Sequence, residues 1–505
     1  MQIELNRQSQ IPLVTQIYQA IADRILSGYF TPGGRLPSVR QLAQNISVSP
    51  VTVVQAYKRL EQKGLIERIQ GKGTFVSGEA PIDSPRDRHS TDNALGARHS
   101  DMAPDDRLPV QVADYLHRSQ SLRYHQTDAA ANFALSVVNP RLLPTDYLAQ
   151  NISHTVLHHP EALAAYGEIQ GDLQLRHAMA DYLQSQSVEA HAAEILIANG
   201  SQQAIDLVAR SFLGPGDIVV AEEPTYTEAI DVFRGRGATV IPVPVDVDGM
   251  QVDHLIRLCD TYTPKLIYTV PTFQNPTGTV LSFRRRLQLL DLAQSMNCII
   301  VEDDPWSEMY FEQTPPPHIK SLDRSGSTIY IKGLSKILAP GCRIAAIVAS
   351  GNVFNRLLVA KTLTDLGSPL LTQKAILPLM QSKNVFSQLA RLREHLKRRR
   401  DTTLAALERY APPEVKWHTP SGGFNIWLSF PTWVNTNDLL LKAEASDISF
   451  LPGSTCYPGE LQFNHLRLSF SYVHEKELQT GIERLCALIA AHISELDQRG
   501  RTPQF

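Results

Sequence analysis

The sequence predicts an α/β chain in two folded parts: a small N-terminal winged helix-turn-helix and a large body built on a mostly parallel sheet. Three observations carry this reading. Residues 1–78 place three helix-like segments ahead of two short strands joined by a glycine turn. From residue 131 onward, short β-rich runs alternate with helical stretches, the pattern of a sheet covered on both faces. Between them lies a linker over residues 79–130: residues 79–109 are poor in large apolar side chains and rich in Pro, Asp, Arg, Ser and His, the composition of a flexible tether, and residues 112–124 read as a short helix carrying Val112, Leu116 and Leu122.

Length and composition narrow the possibilities. A chain of 505 residues exceeds one ordinary domain, and two or three are expected. A hydrophobic share of 43% against a charged share of 20% is that of a globular protein with real cores. Cys259, Cys298, Cys342, Cys456 and Cys486 form no C-x-x-C pair, which argues against a zinc site or disulfide framework and for a reducing compartment. Met1-Gln2-Ile3-Glu4-Leu5 lacks a signal-peptide pattern, and no apolar run approaches the roughly 18 residues of a membrane helix. A cytoplasmic protein with no membrane partner is expected.

Charge is spread unevenly. Residues 1–78 hold nine Lys/Arg and four Asp/Glu, so +5, within a chain of net charge −3; the remainder therefore carries −8. A basic head on an acidic body points to a polyanion partner for the head alone.

Within the head, Val14, Ile17, Tyr18, Ile21, Ile25 and Leu26 recur at helical spacing over residues 12–27, and Gly28 with Pro32-Gly33-Gly34 stops that helix. Pro37-Ser38 opens a short helix over 39–44. After the turn at 45–48, Ser49 is a preferred N-cap and Pro50 a preferred first helical residue, so a third helix runs to about Gln62 and ends at Gly64. Residues 65–68 and 74–77 read as strands flanking Gln70-Gly71-Lys72-Gly73. In a helix-turn-helix the first residues of the second helix face base edges, here Ser49, Val51, Thr52 and Gln55. Arg35, Arg40, Lys58 and Lys72 are placed for phosphates, and Ser38 joins the same DNA-facing set. Lys58 taken alone is better read as an ordinary surface charge; the ordered pattern as a whole is not.

This head resembles the GntR family of bacterial regulators. The resemblance rests on the runs Arg35 to Ala43, Val48 to Val53, Ala56 to Glu61 and Gly71 to Val76. It implies binding to double-stranded operator DNA.

In the body, runs at 195–197, 218–220, 239–243, 266–270, 298–301, 328–331 and 345–348 are candidate strands, with more near 424–428 and 466–470 in a smaller C-terminal α+β part. The chemical motifs follow strands, where an open α/β sheet places its ligands. Asn199-Gly200-Ser201-Gln202 is a small-residue turn into a helix, suited to a phosphate. Tyr226, after a strand and a Pro turn, can stack on a flat ring. Asn275 lies in the polar turn Thr272 to Gly278 and can donate to a phenolic oxygen. Glu302-Asp303-Asp304 ends a strand in acids, and a buried carboxylate against a pyridine nitrogen keeps that nitrogen protonated. Lys336 sits in Lys332-Gly333-Leu334-Ser335-Lys336, with Arg343 following in Pro340-Gly341-Cys342-Arg343.

In this order the motifs resemble a fold-type I, aminotransferase class I protein from about Ala134 to the end. Head plus body resembles the MocR subfamily of GntR regulators over almost the full length. The resemblance implies pyridoxal 5′-phosphate (PLP) held by Lys336 as a Schiff base, Asp303 on the pyridine nitrogen, Asn275 on the ring O3′ and Tyr226 stacked on the ring. It assigns the phosphate to Ser201, Gln202, Ser335 and Arg343. Tyr166 would reach the partner subunit's cofactor in a head-to-tail homodimer, and Arg467 would clamp an amino acid's carboxylate. The chain departs from the enzyme pattern at Trp306 and Gly333 and from the pattern of many MocR proteins at Pro305, which thins the expected O3′ and phosphate contacts.

The function expected is a PLP-dependent transcriptional regulator. It would sense a small amino-acid-like effector by external aldimine formation, the two states of the body repositioning the heads on DNA. An active aminotransferase with an accessory DNA-binding head is the alternative. The expected layout is a winged-helix domain at 1–78, a tether at 79–130 and the effector-binding body at 131–505.

Overall fold

In a computed structural model, the described residues are 13–26, 34, 36–46, 48–69, 73–77, 129–382 and 384–498. The chain divides into two compact units, Met1–Ala113 and Asp114–Phe505. The expected tether lies, but for its last two residues, outside the described residues.

The head is three helices and a hairpin: α1 (Leu13–Leu26), α2 (Val39–Asn45), α3 (Pro50–Gln62), β1 (Ile66–Ile69) and β2 (Gly73–Val76). Its core is the apolar stripe read from the sequence, Ile17 and Ile21 against Leu42, Val53, Tyr57 and Leu60, all fully buried. Ser49 caps α3 by accepting from Thr52 N at 3.2 Å, with Pro50 opening the helix. Tyr57 ties α3 to the start of α2 by donating to Pro37 O at 2.8 Å.

The body opens with β3 (Ala131–Asn132) and then builds an eight-stranded sheet. Its members are β4 (Ile195–Ala198), β5 (Ile218–Glu223), β6 (Thr239–Asp246), β7 (Gly249–Met250), β8 (Leu266–Thr269), β9 (Ile299–Asp304), β10 (Thr328–Gly333) and β11 (Ala345–Val348), in the order β4-β11-β10-β9-β8-β5-β6-β7. The pairs β10·β9, β9·β8, β8·β5 and β5·β6 are parallel, as the helix-separated runs predict. β11 runs antiparallel to both β10 and β4, and β7 is a short hairpin return from β6. Strand alternation divides the sheet between two cores. Val219, Tyr268, Val301 and Ile331 face one side, against α4 (Ser201–Phe212), α5 (Thr227–Gly235) and α7 (Gly351–Thr364). Val220, Ile267 and Ile300 face the other, against α6 (Phe283–Ser295).

The C-terminal part packs a four-stranded sheet, β12 (Lys416–Trp417), β13 (Asn425–Ser429), β16 (His465–Ser469) and β15 (Leu451–Pro452), with α8 (Asn384–Tyr410) and α9 (Glu475–Gln498). A further short strand, β14 (Ile448–Ser449), pairs in parallel with β3. Among the described residues no helix is long and apolar enough to cross a membrane.

Candidate cofactor pocket and DNA-facing helix

The C-terminal ends of β4, β5, β8, β9 and β10 converge on a cavity of about 280 Å³. This is where an open α/β sheet places a ligand. Its lining holds Ser201, Gln202, Tyr226, Asn275, Asp303, Ser335, Lys336, Arg343 and Arg467 together. Of the body residues singled out from sequence, Tyr166 is not brought there: it lies 82% exposed on the surface.

Lys336 is carried on the loop between the antiparallel β10 and β11. Leu334, Ile337 and Leu338 are fully buried and anchor that loop in the core, while Leu334 N donates to Ile344 O at 3.1 Å and closes it. Ser335 and Lys336 are left to line the cavity. Burial, then the charge of Arg467, lowers the Lys336 amine to about 8, so a sizeable neutral fraction exists near physiological pH.

Asp303 ends β9 on the cavity side of the sheet. Its Oδ2 accepts from Tyr268 OH at 2.8 Å, whereas its Oδ1 is buried with no partner. Burial raises the carboxyl to about 7. A buried acceptor left open in this way costs about 1–3 kcal/mol unless a donor fills it. The sequence reading missed Tyr268, although period-two alternation from Val301 and Asp303 onto the neighbouring strand places it on the same face.

An anion cup forms where α4 starts. Gly200 has a φ of +86°, a backbone that favours glycine, and a Cβ there would lie 2.5 Å from Arg343 Nη2 and displace that guanidinium. Arg343 itself adopts left-handed backbone (φ 51°) and donates to Asn199 O at 3.3 Å. At Gly333 a Cβ would meet Ser201 Oγ at 2.5 Å. The Ser201 hydroxyl therefore occupies the space that a serine at 333 would take. Tyr226 OH donates to Gln202 Oε1 at 3.1 Å, joining the ring to the cup.

Arg467 reaches the cavity from β16, almost fully buried. Its Nη1 donates to Asn275 Oδ1 at 3.0 Å and its Nη2 to Ala134 O at 2.6 Å, while Nε has no partner. With Oδ1 occupied, Asn275 keeps its Nδ2 donors for the cavity. Trp306 also lines the cavity, but its indole Nε1 donates to Phe273 O at 2.8 Å and its ring packs on Phe424. It supplies a wall, not a donor. Cys456, Leu451 and Leu135 are among the other lining residues, and none carried a motif that would have marked it.

On the head, Val51 is 64% exposed at the start of α3, with Gln55 and Lys58 also exposed. Thr52 and Ser49 share a hydroxyl hydrogen bond of 2.8 Å. Ser38 caps α2, its Oγ accepting from Gln41 N at 3.3 Å. Arg35, Lys72 and the side chain of Arg40 lie outside the described residues.

Comparison with known proteins decides the kinship. Residues 133–485 match the family described as aminotransferase class I and II, and residues 13–76 match the bacterial regulatory proteins of the gntR family. The chain is a GntR-headed member of the aminotransferase class I and II family. It is 31% identical to the uncharacterized HTH-type transcriptional regulator YisV of Bacillus subtilis, over 95% of this chain and 96% of that one. It is 33% identical to aromatic-amino-acid aminotransferase 1 of Thermococcus litoralis, over 73% of this chain and 90% of that one. Among solved structures, the α-aminoadipate aminotransferase LysN of Thermus thermophilus, complexed with N-(5′-phosphopyridoxyl)-L-leucine, superposes with a TM-score of 0.72 at 29% identity. That match covers 75% of this GntR-headed chain and 97% of LysN. The full-length relative carries the regulator's name; the enzyme relatives match the body.

Proposed function

We propose that this chain is a PLP-dependent transcriptional regulator of the MocR type, acting in the cytoplasm. It binds operator DNA through residues 1–78 and an amino-acid-like effector through residues 131–505, across a tether at 79–130. The observation that carries the cofactor is the unpartnered, buried Asp303 Oδ1 facing the same cavity as Lys336. A carboxylate oxygen so placed fits the N–H of a pyridinium ring, whose charge would return the carboxyl to its ionised form.

The remaining residues fit the rest of the group. Tyr226 stacks on the ring, Asn275 Nδ2 donates to its phenolic oxygen, and Lys336 Nζ is the covalent anchor. Ser201, Gln202, Ser335 and Arg343 hold the phosphate. When bound, PLP supplies an electrophilic carbon that amines attack and a ring that withdraws electrons. Arg467 receives the effector's carboxylate. Its Nε is unpartnered and each Nη keeps a second N–H, so it can take a carboxylate in two prongs beside its bonds to Asn275 and Ala134. A ligand gripped there gives the two states of the cavity different contacts, which any ligand-driven switch needs.

Tyr166 is 82% exposed, which leaves it available to a second copy of the chain. A head-to-tail homodimer in which Tyr166 enters the partner's cavity follows from the resemblance.

The test is a spectral screen of amino compounds against the PLP-loaded protein, followed by a DNA mobility-shift assay with each hit. A visible band that responds to an amine, with altered DNA binding, supports the reading; the absence of any band with PLP sinks it. The aminotransferase reading has the 33% identity to an aminotransferase in its favour. Steady turnover of an amino donor and a keto acid, with DNA binding unchanged, would establish it instead.

A further inference from the structure

We infer that Lys332 is a positioning residue for Asp303: its buried ammonium, behind the sheet, offsets the carboxylates of Asp304 and Glu308 so that Asp303 can meet a cationic ring nitrogen as an anion. This rests on the cofactor reading above.

Strand alternation sets the arrangement. Asp303 faces the cavity, with Tyr268 from β8. Its neighbours Glu302 and Asp304 face the opposite side, and β10 brings Tyr330 opposite Glu302 and Lys332 opposite Asp304. Lys332 has no solvent exposure. Its Nζ lies 2.9 Å from Asp304 Oδ2 and 2.7 Å from Glu308 Oε2. Asp304 Oδ2 also accepts from Tyr330 OH at 2.6 Å and Ser307 Oγ at 2.7 Å. Glu308 accepts from Tyr182 OH, and from Gln186 Nε2 at 3.0 Å. His318 Nε2 stands 4.0 Å from Asp304, while His318 Nδ1 and Arg286 Nη1 stand 3.5 and 3.9 Å from Glu302. Glu302, Asp304 and Glu308 thus face Lys332, Arg286 and His318.

Such a cluster is a weak argument for stability, since apolar side chains of similar volume often serve as well. Its position is what gives it a role. Asp304 is adjacent to Asp303 in the chain, and a like charge so close disfavours ionisation. Burial is the main cause that raises the Asp303 carboxyl; Asp304 adds to the rise and Lys332 opposes it. Removing Lys332 leaves Asp304 and Glu308 without the cation that both contact.

The experiment is a pH titration of the visible band of PLP-loaded protein, with PLP affinity measured alongside. Lys332→Met removes a nearby cation, and the loss of that like charge favours the protonated chromophore. The midpoint should rise by about one unit or more. Lys332→Met combined with Glu308→Gln deletes one charge of each sign and should return the midpoint towards wild type. A purely structural role for Lys332 would lower PLP affinity or stability in the single variant and leave the midpoint in place, overturning the inference. So would a double variant shifted as far as the single. If Lys332→Met does not fold, Glu308→Gln alone should lower the midpoint, and an unmoved midpoint overturns the inference. A wild-type protein with no band at all overturns the cofactor reading, and this inference with it.

Discussion

Arg467 Nη1 donates to Asn275 Oδ1 over 3.0 Å, which joins two cavity-lining side chains into one unit. The bond spans β16 of the smaller sheet and the turn after β8 of the larger one. Whatever engages Arg467 is felt at Asn275.

Arg467→Ala should therefore cost more than a lost clamp. It leaves Asn275 Oδ1 and Ala134 O without their donor, at about 1–3 kcal/mol for each buried group left open. Denaturant melts should show that loss, and carboxylate-bearing amines should lose their effect on the PLP band while the band itself persists. Arg467→Lys should not rescue the response, because a point cation cannot keep both bonds and grip a ligand as a planar fork does.

Asp303→Asn should stabilise the cofactor-free protein and weaken PLP binding. The folded carboxyl titrates near 7, well above its ordinary value near 4, so the folded state holds the extra proton. Stability then falls as pH rises from about 4 towards 7. At pH 7 the cofactor-free gain from Asn is on the order of 2–4 kcal/mol, and it should vanish near pH 4. Chemical denaturation across that range checks the sign; a cofactor-free Asp303→Asn that is less stable at pH 7 would contradict it.

Lys336→Ala should leave a folded protein that, once free PLP has been removed, retains no protein-linked visible band. Far-UV circular dichroism controls for folding. A yellow variant would remove Lys336 from its role.

His318 should give stability a further fall at higher pH. Burial alone would lower its pKa, but Glu302 and Asp304 outweigh burial and raise it. Its contribution is present in full below the unfolded value of about 6.5 and is lost as pH climbs through the folded value. His318→Gln should flatten the fall in melting temperature above about pH 6.5, while a wild-type protein with no such fall would count against the charged imidazole.

On the head, Lys58→Ala should weaken binding to all DNA sequences alike and reduce the salt slope by about one if Lys58 meets one phosphate. Val51→Ala should instead change preference among operator sequences if this exposed side chain at the start of α3 meets a thymine methyl. Fluorescence anisotropy against a salt series and an operator library separates the two.

Much of this architecture was legible in the sequence because it is local. Strands such as 345–348 and the Ser49 cap with Pro50 announce themselves through neighbours in the chain, and the structure places them there. Ser201, Tyr226, Asn275 and Lys336 were legible because each follows a strand in a turn, and Asp303 because it ends a strand in acids; Arg467, inside β16, came only with the resemblance. What escaped depends on partners across strands. Tyr268 reads as one more strand residue until it is set beside Asp303. Gly333 reads as a lost serine until Ser201 is seen filling its space. Lys332 lies four residues from Lys336, yet its role depends on facing Asp304 from another strand.

The Lys336 loop is held at both ends, by β10 and by a β11 wedged between β10 and β4. Arg467 stands on the smaller sheet, joined to the larger one at the cavity through Asn275. A lysine so fixed can be displaced from its partner without shifting its own backbone. Under the proposed function the lysine side is the anvil and the arginine side the hammer, and a message leaving this cavity would travel out along β16.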